Sequence, residues 1–545
     1  MAGANWWALG LFVALLALRL PFARWAEAGQ LLNPDEIETA LMGADRFLGV
    51  PPCQTHWPAS LNQLLLLPVL GADMLVQSHF RPTGAAFIEY VAGIYRSPWH
   101  TVWLSRVIVV VASSLGLASL VVPLARRGAG AWACVVALLL TATTPSLWQA
   151  SIMSLGNGLA LGLGCLAIAV SLSEACGGHP LHRPVAAGAL LGLMLASRNT
   201  MAPFVPLVGA ILASRSSRPW RDLVAMTLMM AVALVAAFPY VWTEPIRVAR
   251  ATVGAYIKHG EASGLRAALG MMVKVVPSWL LGASVLAVIA GVRHRQWWLV
   301  GGLALATATI LIPAARSPEI VERYYQAMVP ICAVMAILLL VIPARGYLRG
   351  ESEGLRRATV AVGLAAAAGI MVWQIVSRPE LKSNKLTAMR PAEVRESLAA
   401  LSGRRVLLPA WYWPWVLDLA TRESLRDTVT RVESTMWGGG HLSFTSSFGL
   451  DQALVTGLRA DFNDKEQAFA ARLRAVAAGK AEGTVNIGVY ADPAWAKRFG
   501  QLTLEEALAV LRVGRADAVL AEEAPNGDEF SSQSVAGGCL LTRRP

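Results

Sequence analysis

The chain has 545 residues, 55% hydrophobic and only 15% charged, with a mean hydropathy of +0.51 and a net charge of +12. Soluble domains are far less apolar, and repeated apolar runs of helix-spanning length make this a polytopic α-helical membrane protein. The positive charge does not imply nucleic acid, because no basic face interleaved with aromatics is present. Lysine and arginine instead fix membrane topology and meet anionic membrane lipids.

The first apolar segment, Asn5 to Leu20, lacks a basic leader and a small-residue cleavage site, so it reads as a retained span. Further apolar runs fall at about 101–124, 131–150, 154–173, 184–197, 200–213, 222–241, 276–292, 296–314, 325–342 and 358–377. Together these predict about eleven helices, some shorter than a full span. Arg126-Arg127, Arg183, the group Arg215, Arg218 and Arg221, the pair Arg293 and Arg295, and the cluster Arg345, Arg349, Arg356 and Arg357 share one side if every run counts. The positive-inside rule makes that side cytoplasmic. One span over 183–215 would invert every later loop, so the reading adopted has two short helices joined at Arg198-Asn199. The N-terminus is then inside, and the acidic 31–70 loop and everything after Lys382 are outside. Tryptophans at run ends, including Trp6-Trp7, Trp99, Trp220 and Trp297-Trp298, agree as an interfacial belt.

Between residues 60 and 100 the apolar pattern is broken. Asn62, Gln63, Pro68 and Asp73 interrupt Leu61 to Val76, which reads as an amphipathic helix in the interface, with Ala85 to Tyr95 as a second. From about residue 380 the runs shorten to strand length at 406–408, 485–490, 518–520 and 539–541, with helical patterns at 464–478 and 504–513 between them. The second helix opens with Thr503 and Glu506 at capping-box spacing. Alternating short strands and helices predict a small α/β domain over 379–545, outside the membrane, beside a membrane domain over 1–378 in which 31–100 is the first outer loop. Gly438-Gly439-Gly440 follows no strand and is no phosphate loop. Six scattered cysteines give no metal framework. Cys53 and Cys539 both face outward in this topology, as two free thiols or as a pair.

The stretch richest in chemistry runs from Leu31 to Leu70 and holds Asp35, Glu36, Glu38 and Asp45, then Gly49-Val50-Pro51-Pro52 and His56-Trp57-Pro58. Later, Pro318 to Tyr325 reads PEIVERYY at the outer entry to the 325–342 run, and Arg198 lies between two short helices. In this order the motifs resemble the GT-C glycosyltransferases, which take a sugar from a polyprenyl-phosphate carrier and include protein O-mannosyltransferases and the lipid A aminoarabinose transferase. The resemblance covers about residues 5–375. It implies an inverting hexosyl- or pentosyltransferase whose general base matches Asp35, the first acid of the pair. Glu36 orients the site or tunes Asp35, and a plain helix cap is the competing reading of both acids. Arg323 with Tyr324, and Arg198, would hold the donor phosphate, for which a guanidinium fork is suited; headgroup snorkelling is the rival role for Arg323. His56 is a substrate-binding candidate or a packing partner of Trp57. Asn157 stands where many relatives carry a second acid and cannot act as a base, so no metal between two carboxylates and no cofactor is expected.

The acceptor, whether lipid, polysaccharide or protein, is left open, and so is the role of Trp411-Tyr412-Trp413-Pro414-Trp415: a packed aromatic core, a sugar-stacking platform or a surface resting on the membrane. High Ala, Gly and Arg with few Lys suggest a bacterial plasma membrane with the active face periplasmic. A transporter or flippase is the rival class, but its ionisable residues belong near mid-span, whereas the span interiors here read as nearly free of charge. A fold-preserving binding protein without activity is the third reading.

Overall fold

The computed structural model describes residues 2–24, 60–80, 99–154, 156–174, 181–238, 263–316, 322–343, 405–409, 486–490, 503–512, 516–521, 529–535 and 538–543, with single residues and short pieces at 36, 43, 46–47, 90, 94, 245–246, 365, 367–370, 372–374 and 514. Its helices are α1 (Ala2–Ala23), α2 (Ser60–Gln77), α3 (Trp99–Ser119), α4 (Ala131–Ala142), α5 (Pro145–Ile152), α6 (Asn157–Leu172), α7 (His182–Ser197), α8 (Phe204–Ala213), α9 (Pro219–Ala237), α10 (Gly264–Val275), α11 (Ser278–Arg293), α12 (Trp297–Arg316) and α13 (Met328–Ala336). Each predicted run up to 325–342 contains one of these helices, and the run at 358–377 lies mostly outside the described residues.

Five segments are long and apolar enough to cross a membrane, at Gly3–Ala23, Trp99–Ala129, Pro219–Ala237, Trp297–Arg316 and Glu322–Val341. Two sharply bent pairs raise that to seven: α4 with α5 at 81° and α10 with α11 at 109°. Among the described residues, five to seven segments thus meet the length and composition of a full span, and α6, α7 and α8 are shorter helices, as some of the predicted runs were. The break expected at Arg198-Asn199 is present. Helix α7 stops at Ser197, Arg198 is extended (φ −163°, ψ 116°), and a 3₁₀ turn at Asn199–Met201 precedes α8.

The chain divides into two compact units. One comprises Met1–Ala23, Gln54–Leu66 and Leu104–Pro379; the other comprises Arg24–Cys53, Leu67–Trp103 and Glu380–Pro545. Residues 31–100 are thus divided between the two units. In the first unit, close backbone approach organises the packing. A Cβ on Gly116 of α3 would collide with the backbone of Gly162 on α6, and one on Gly188 or Gly192 of α7 would meet the carbonyls of Met226 and Met230 on α9. Small residues take these places because lipid gives helices no hydrophobic reason to associate, so tight van der Waals packing must hold them.

The second unit carries a five-stranded sheet formed by β1 (Arg405–Pro409), β2 (Asn486–Tyr490), β3 (Ala518–Ala521), β4 (Phe530–Val535) and β5 (Gly538–Arg543), in the order β2-β1-β3-β5-β4. Strand β1 is parallel to β2 and β3, and β5 is antiparallel to β3 and β4. Helix α14 (Leu504–Arg512) lays Ala507, Leu508 and Leu511 on Leu407, Val519 and Leu541. Its capping box is closed: the Thr503 N–H donates to Glu506 Oε2 (2.7 Å) and the Glu506 N–H donates to Thr503 Oγ1 (3.3 Å). The Cys539 thiol donates to the Ala521 carbonyl (3.6 Å); Cys53, the 464–478 helix, the 411–415 aromatics and Gly438–Gly440 lie outside the described residues.

Candidate functional site

Three interruptions of helix meet within the first unit. The 3₁₀ turn Asn199–Met201 touches the start of α6 and a second 3₁₀ turn, Glu322–Tyr324, which in turn touches α5 and α10. Lys274 on α10 forms an ion pair with Glu322. The α6 start is held close by Gly156, whose φ of +79° is left-handed and whose Cβ position lies 2.9 Å from the Ser197 carbonyl oxygen. Any L side chain there would be strained twice, by its backbone and by that carbonyl. Gly156 therefore sets Asn157 beside the Ser197-Arg198 corner.

Buried amides tie the corner together. Asn157, 1% exposed, donates from Nδ2 to Gln326 Oε1 (2.8 Å), and Gln326 donates from Nε2 to the Ser146 carbonyl (3.1 Å). Ser146 Oγ donates to the Val275 carbonyl at the end of α10 (3.2 Å). On the other side Asn62 of α2 donates to the Ser154 carbonyl (2.8 Å). These bonds run through five separate helix ends, where backbone groups lack intrahelical partners, and so tie α2, α5, α6, α10 and the α13 entry together.

Between the two turns lies a crevice of about 20 Å³, room for roughly one water, lined by Asn199, Thr200, Ala202, Pro203, Thr309, Ile310, Pro313, Ala314 and Tyr324. Several buried polar atoms around this corner have no hydrogen-bond partner among the described residues: both amide atoms of Asn199, the Thr200 hydroxyl, Asn157 Oδ1 and the Tyr325 hydroxyl. Buried polar groups are almost always satisfied, so these open donors and acceptors make the corner a candidate place for a polar ligand. Two arginines belong to the turns that meet here: Arg198, 4% exposed, immediately precedes the first, and half-buried Arg323 lies within the second. This corner can hold an oxyanion by charge and hydroxylated atoms by the open amides.

Of the residues singled out in the sequence, Arg198, Arg323, Tyr324 and Asn157 thus come together. Glu36 is helical and fully buried in the second unit, whereas Asp35 and His56 lie outside the described residues. Gln326 and Thr200 were not singled out from the sequence, and Asn62 and Asn199 were read only as breaks in apolar runs. Gln326 carried a signal, an uncharged polar residue one place inside the 325–342 run. The spans also hold more charge than hydropathy suggested: Arg19 on α1 and Arg106 on α3 are completely buried. Arg19 is fastened by the hydroxyls of Ser113 (3.3 Å) and Ser114 (3.1 Å) and by the last carbonyl of α4, at Ala142 (3.4 Å).

The second unit has its own polar knot. Asp73 Oδ2 accepts from the Tyr90 hydroxyl and from Gln77 Nε2, both at 2.8 Å, while Oδ1 lies 3.1 Å from His100 Nε2. Burial, and then the hydrogen bond and charge of Asp73, push the Tyr90 phenol above its ordinary value. Asp73, which looked like an interruption of an apolar helix, is thus an anchor for three later residues.

Over nearly its whole length the chain is similar to the crystal structure of ArnT from Cupriavidus metallidurans bound to undecaprenyl phosphate, with 14% identity, coverage of 98% of this chain and 97% of that one, and a TM-score of 0.48. The apo-state crystal structure of ArnT from the same organism shares 15% identity over 99% of this chain and 98% of that one, with a TM-score of 0.45. No protein-family model matches the chain, and no curated protein matches it in sequence.

Proposed function

We propose that this protein is a GT-C-like membrane glycosyltransferase that takes a sugar from a polyprenyl-phosphate donor and passes it, with inversion, to an acceptor at the extracytoplasmic face of a bacterial inner membrane. The observation that supports it most is the meeting of Arg198, Arg323 and Tyr324 around open buried amides and hydroxyls. Such a corner suits a phosphate leaving group and the hydroxyls of a sugar. Arg198 and Arg323 hold the departing lipid phosphate and offset its growing charge, while Tyr324 donates a hydrogen bond. Asn157, locked by Gln326, contacts the sugar as an amide and moves no proton. Asp35 takes the proton of the acceptor hydroxyl as that oxygen attacks C1, and Glu36 and His56 orient the reacting groups. The N-terminus is cytoplasmic and the unit bearing the sheet is outside. No metal enters this scheme.

The test is turnover of radiolabelled polyprenyl-phosphate sugars, with native membrane extract as acceptor, by wild type, Asp35→Asn and Arg323→Lys in liposomes. Asp35→Asn should bind donor normally and lose transfer by at least a hundredfold, the span of general-base effects. Arg323→Lys should weaken donor binding, since an ammonium cannot reproduce the bidentate fork. Full activity in Asp35→Asn would refute the base assignment, and a wild type that consumes no donor would refute the enzyme.

A further inference from the structure

At the end of α6 opposite Asn157, 16 residues and so roughly 24 Å away, three arginines from three separate loops close on one set of carbonyls. Arg215, after α8, donates from Nη1 to the carbonyls of Ser171 (2.8 Å) and Ser173 (2.9 Å). Arg183, at the start of α7, donates to the Ser173 carbonyl (3.1 Å), and Arg127, beyond α3, donates from Nε to the Leu172 carbonyl (3.4 Å). The backbone breaks at Gly128 (φ 101°), and Arg127 just before it is half-buried, while neighbouring Arg126 is exposed.

Capping one helix C-terminus does not need three cations; a single one satisfies the dipole for a few tenths of a kcal/mol to about 1 kcal/mol. Among the described residues, Glu174 is the carboxylate whose charge acts on Arg127 and Arg215. Arg215 is pushed down to about 10, first by burial and then by the charges of Arg127 and Arg183. The carbonyls occupy one edge of each guanidinium, and the remaining N–H groups have no protein partner among the described residues. Trp132, at the start of α4, and Trp220, at the start of α9, stand exposed at this same end, as tryptophans do where helices leave the hydrocarbon.

We propose that Arg127, Arg183 and Arg215, held in register by the last carbonyls of α6, form a binding site for a phosphate oxyanion, supplied by an anionic lipid headgroup or by free phosphate. The convergence is what distinguishes it from a scattered topological signal. Three planar forks are pre-aimed by the carbonyls, so little side-chain entropy remains to be lost when a tetrahedral anion joins them. The site is independent of the proposed transfer reaction.

The experiment measures thermal unfolding of the full-length protein in a neutral detergent, titrated in separate arms with phosphatidylglycerol, phosphatidylcholine and inorganic phosphate. Lipid retained by the protein is counted by native mass spectrometry. Stabilisation by phosphatidylglycerol but not phosphatidylcholine assigns the lipid source; stabilisation by inorganic phosphate at millimolar concentration assigns the free anion. Arg183→Gln with Arg215→Gln should raise the half-saturating concentration at least tenfold. Glu174→Gln leaves every carbonyl cap intact and removes the competing carboxylate, so it should lower that concentration about threefold. If the double variant fails to fold, Glu174→Gln decides. No preference for an anionic additive in wild type, or an unchanged dose response in Glu174→Gln, overturns the site and leaves the arginines as helix caps alone.

Discussion

Replacing Gly156 tests the corner most directly. Alanine at φ +79° incurs the left-handed penalty of about 1–2 kcal/mol, and its Cβ would stand 2.9 Å from the Ser197 carbonyl oxygen, closer than real Cβ atoms approach. The obstacle is backbone, so relief requires α6 to back away from the α7 end by a few tenths of an ångström, with an overpacking cost of about 1 kcal/mol or more. Gly156→Ala should therefore lose about 2–4 kcal/mol in reversible unfolding and weaken the bond from Asn157 to Gln326. Two comparisons separate the causes. Gly156→Asn tolerates the left-handed backbone but keeps the contact, so it should lose about half as much. Gly270→Ala lies mid-helix on α10 with nothing within 4 Å of its Cβ, so it should gain about 0.5–1 kcal/mol. Equal stability of Gly156→Ala and wild type would refute the close approach of α6 to Ser197, and with it the placement of Asn157 at the corner.

Gln326→Leu removes the acceptor for Asn157 and the donor to the Ser146 carbonyl, stranding two buried groups; a loss of about 1–3 kcal/mol is expected, partly recovered by adding Asn157→Leu, as read in the same unfolding assay. Tyr90 is held neutral by burial and by Asp73, above its ordinary pKa of 10.0, so its contribution is complete below about pH 10 and is lost as pH rises beyond it. Melting curves between pH 8 and 11 should show that alkaline loss in wild type and less of it in Tyr90→Phe; identical curves would refute the role of Asp73. Thr503→Ala opens the capping box and should cost about 1 kcal/mol, seen as faster hydrogen exchange over 504–512 with no change across α6.

The helices were legible wherever apolar residues ran without a break. The split at Arg198 was read from charge parity alone, since one span over 183–215 would put Arg183 and Arg215 on opposite faces and invert every later loop. Helix α10 was not legible in that way. Arg266 and Lys274 interrupt it, and its exposed apolar residues Leu265, Leu269 and Val273 recur at helical period instead of forming a run, so a search for spans passes over it. Strand β4 reads Phe-Ser-Ser-Gln-Ser-Val, with little strand propensity of its own; it forms because β5 offers it an antiparallel edge over six paired positions. In the site, Arg198, Arg323 and Tyr324 could be picked out because charged or phenolic groups stand out beside apolar runs. Gln326, Asn199 and Thr200 could not, because an uncharged polar residue beside a span is ordinary until its partners, or their absence, are seen.

One physical rule connects the corner to the arginine cluster. A helix in an apolar surround must end where its orphan carbonyls and N–H groups can be met, and short apolar helices multiply such ends. At its N-terminal end α6 meets the Ser197-Arg198 break and leaves amides and a hydroxyl nearby without partners; at its C-terminal end three guanidiniums meet its carbonyls with N–H groups to spare. Each end is more polar than capping demands. An end that merely stops a helix should tolerate neutral replacements that keep the caps, whereas one that binds a ligand should lose ligand dependence before stability. Asn199→Ala in the corner applies that criterion: both its amide atoms lack partners among the described residues, so removal should leave unfolding within about 0.5 kcal/mol of wild type. Donor binding should nevertheless weaken at least fivefold, and a variant that instead unfolds easily and binds donor normally would make the corner a structural joint.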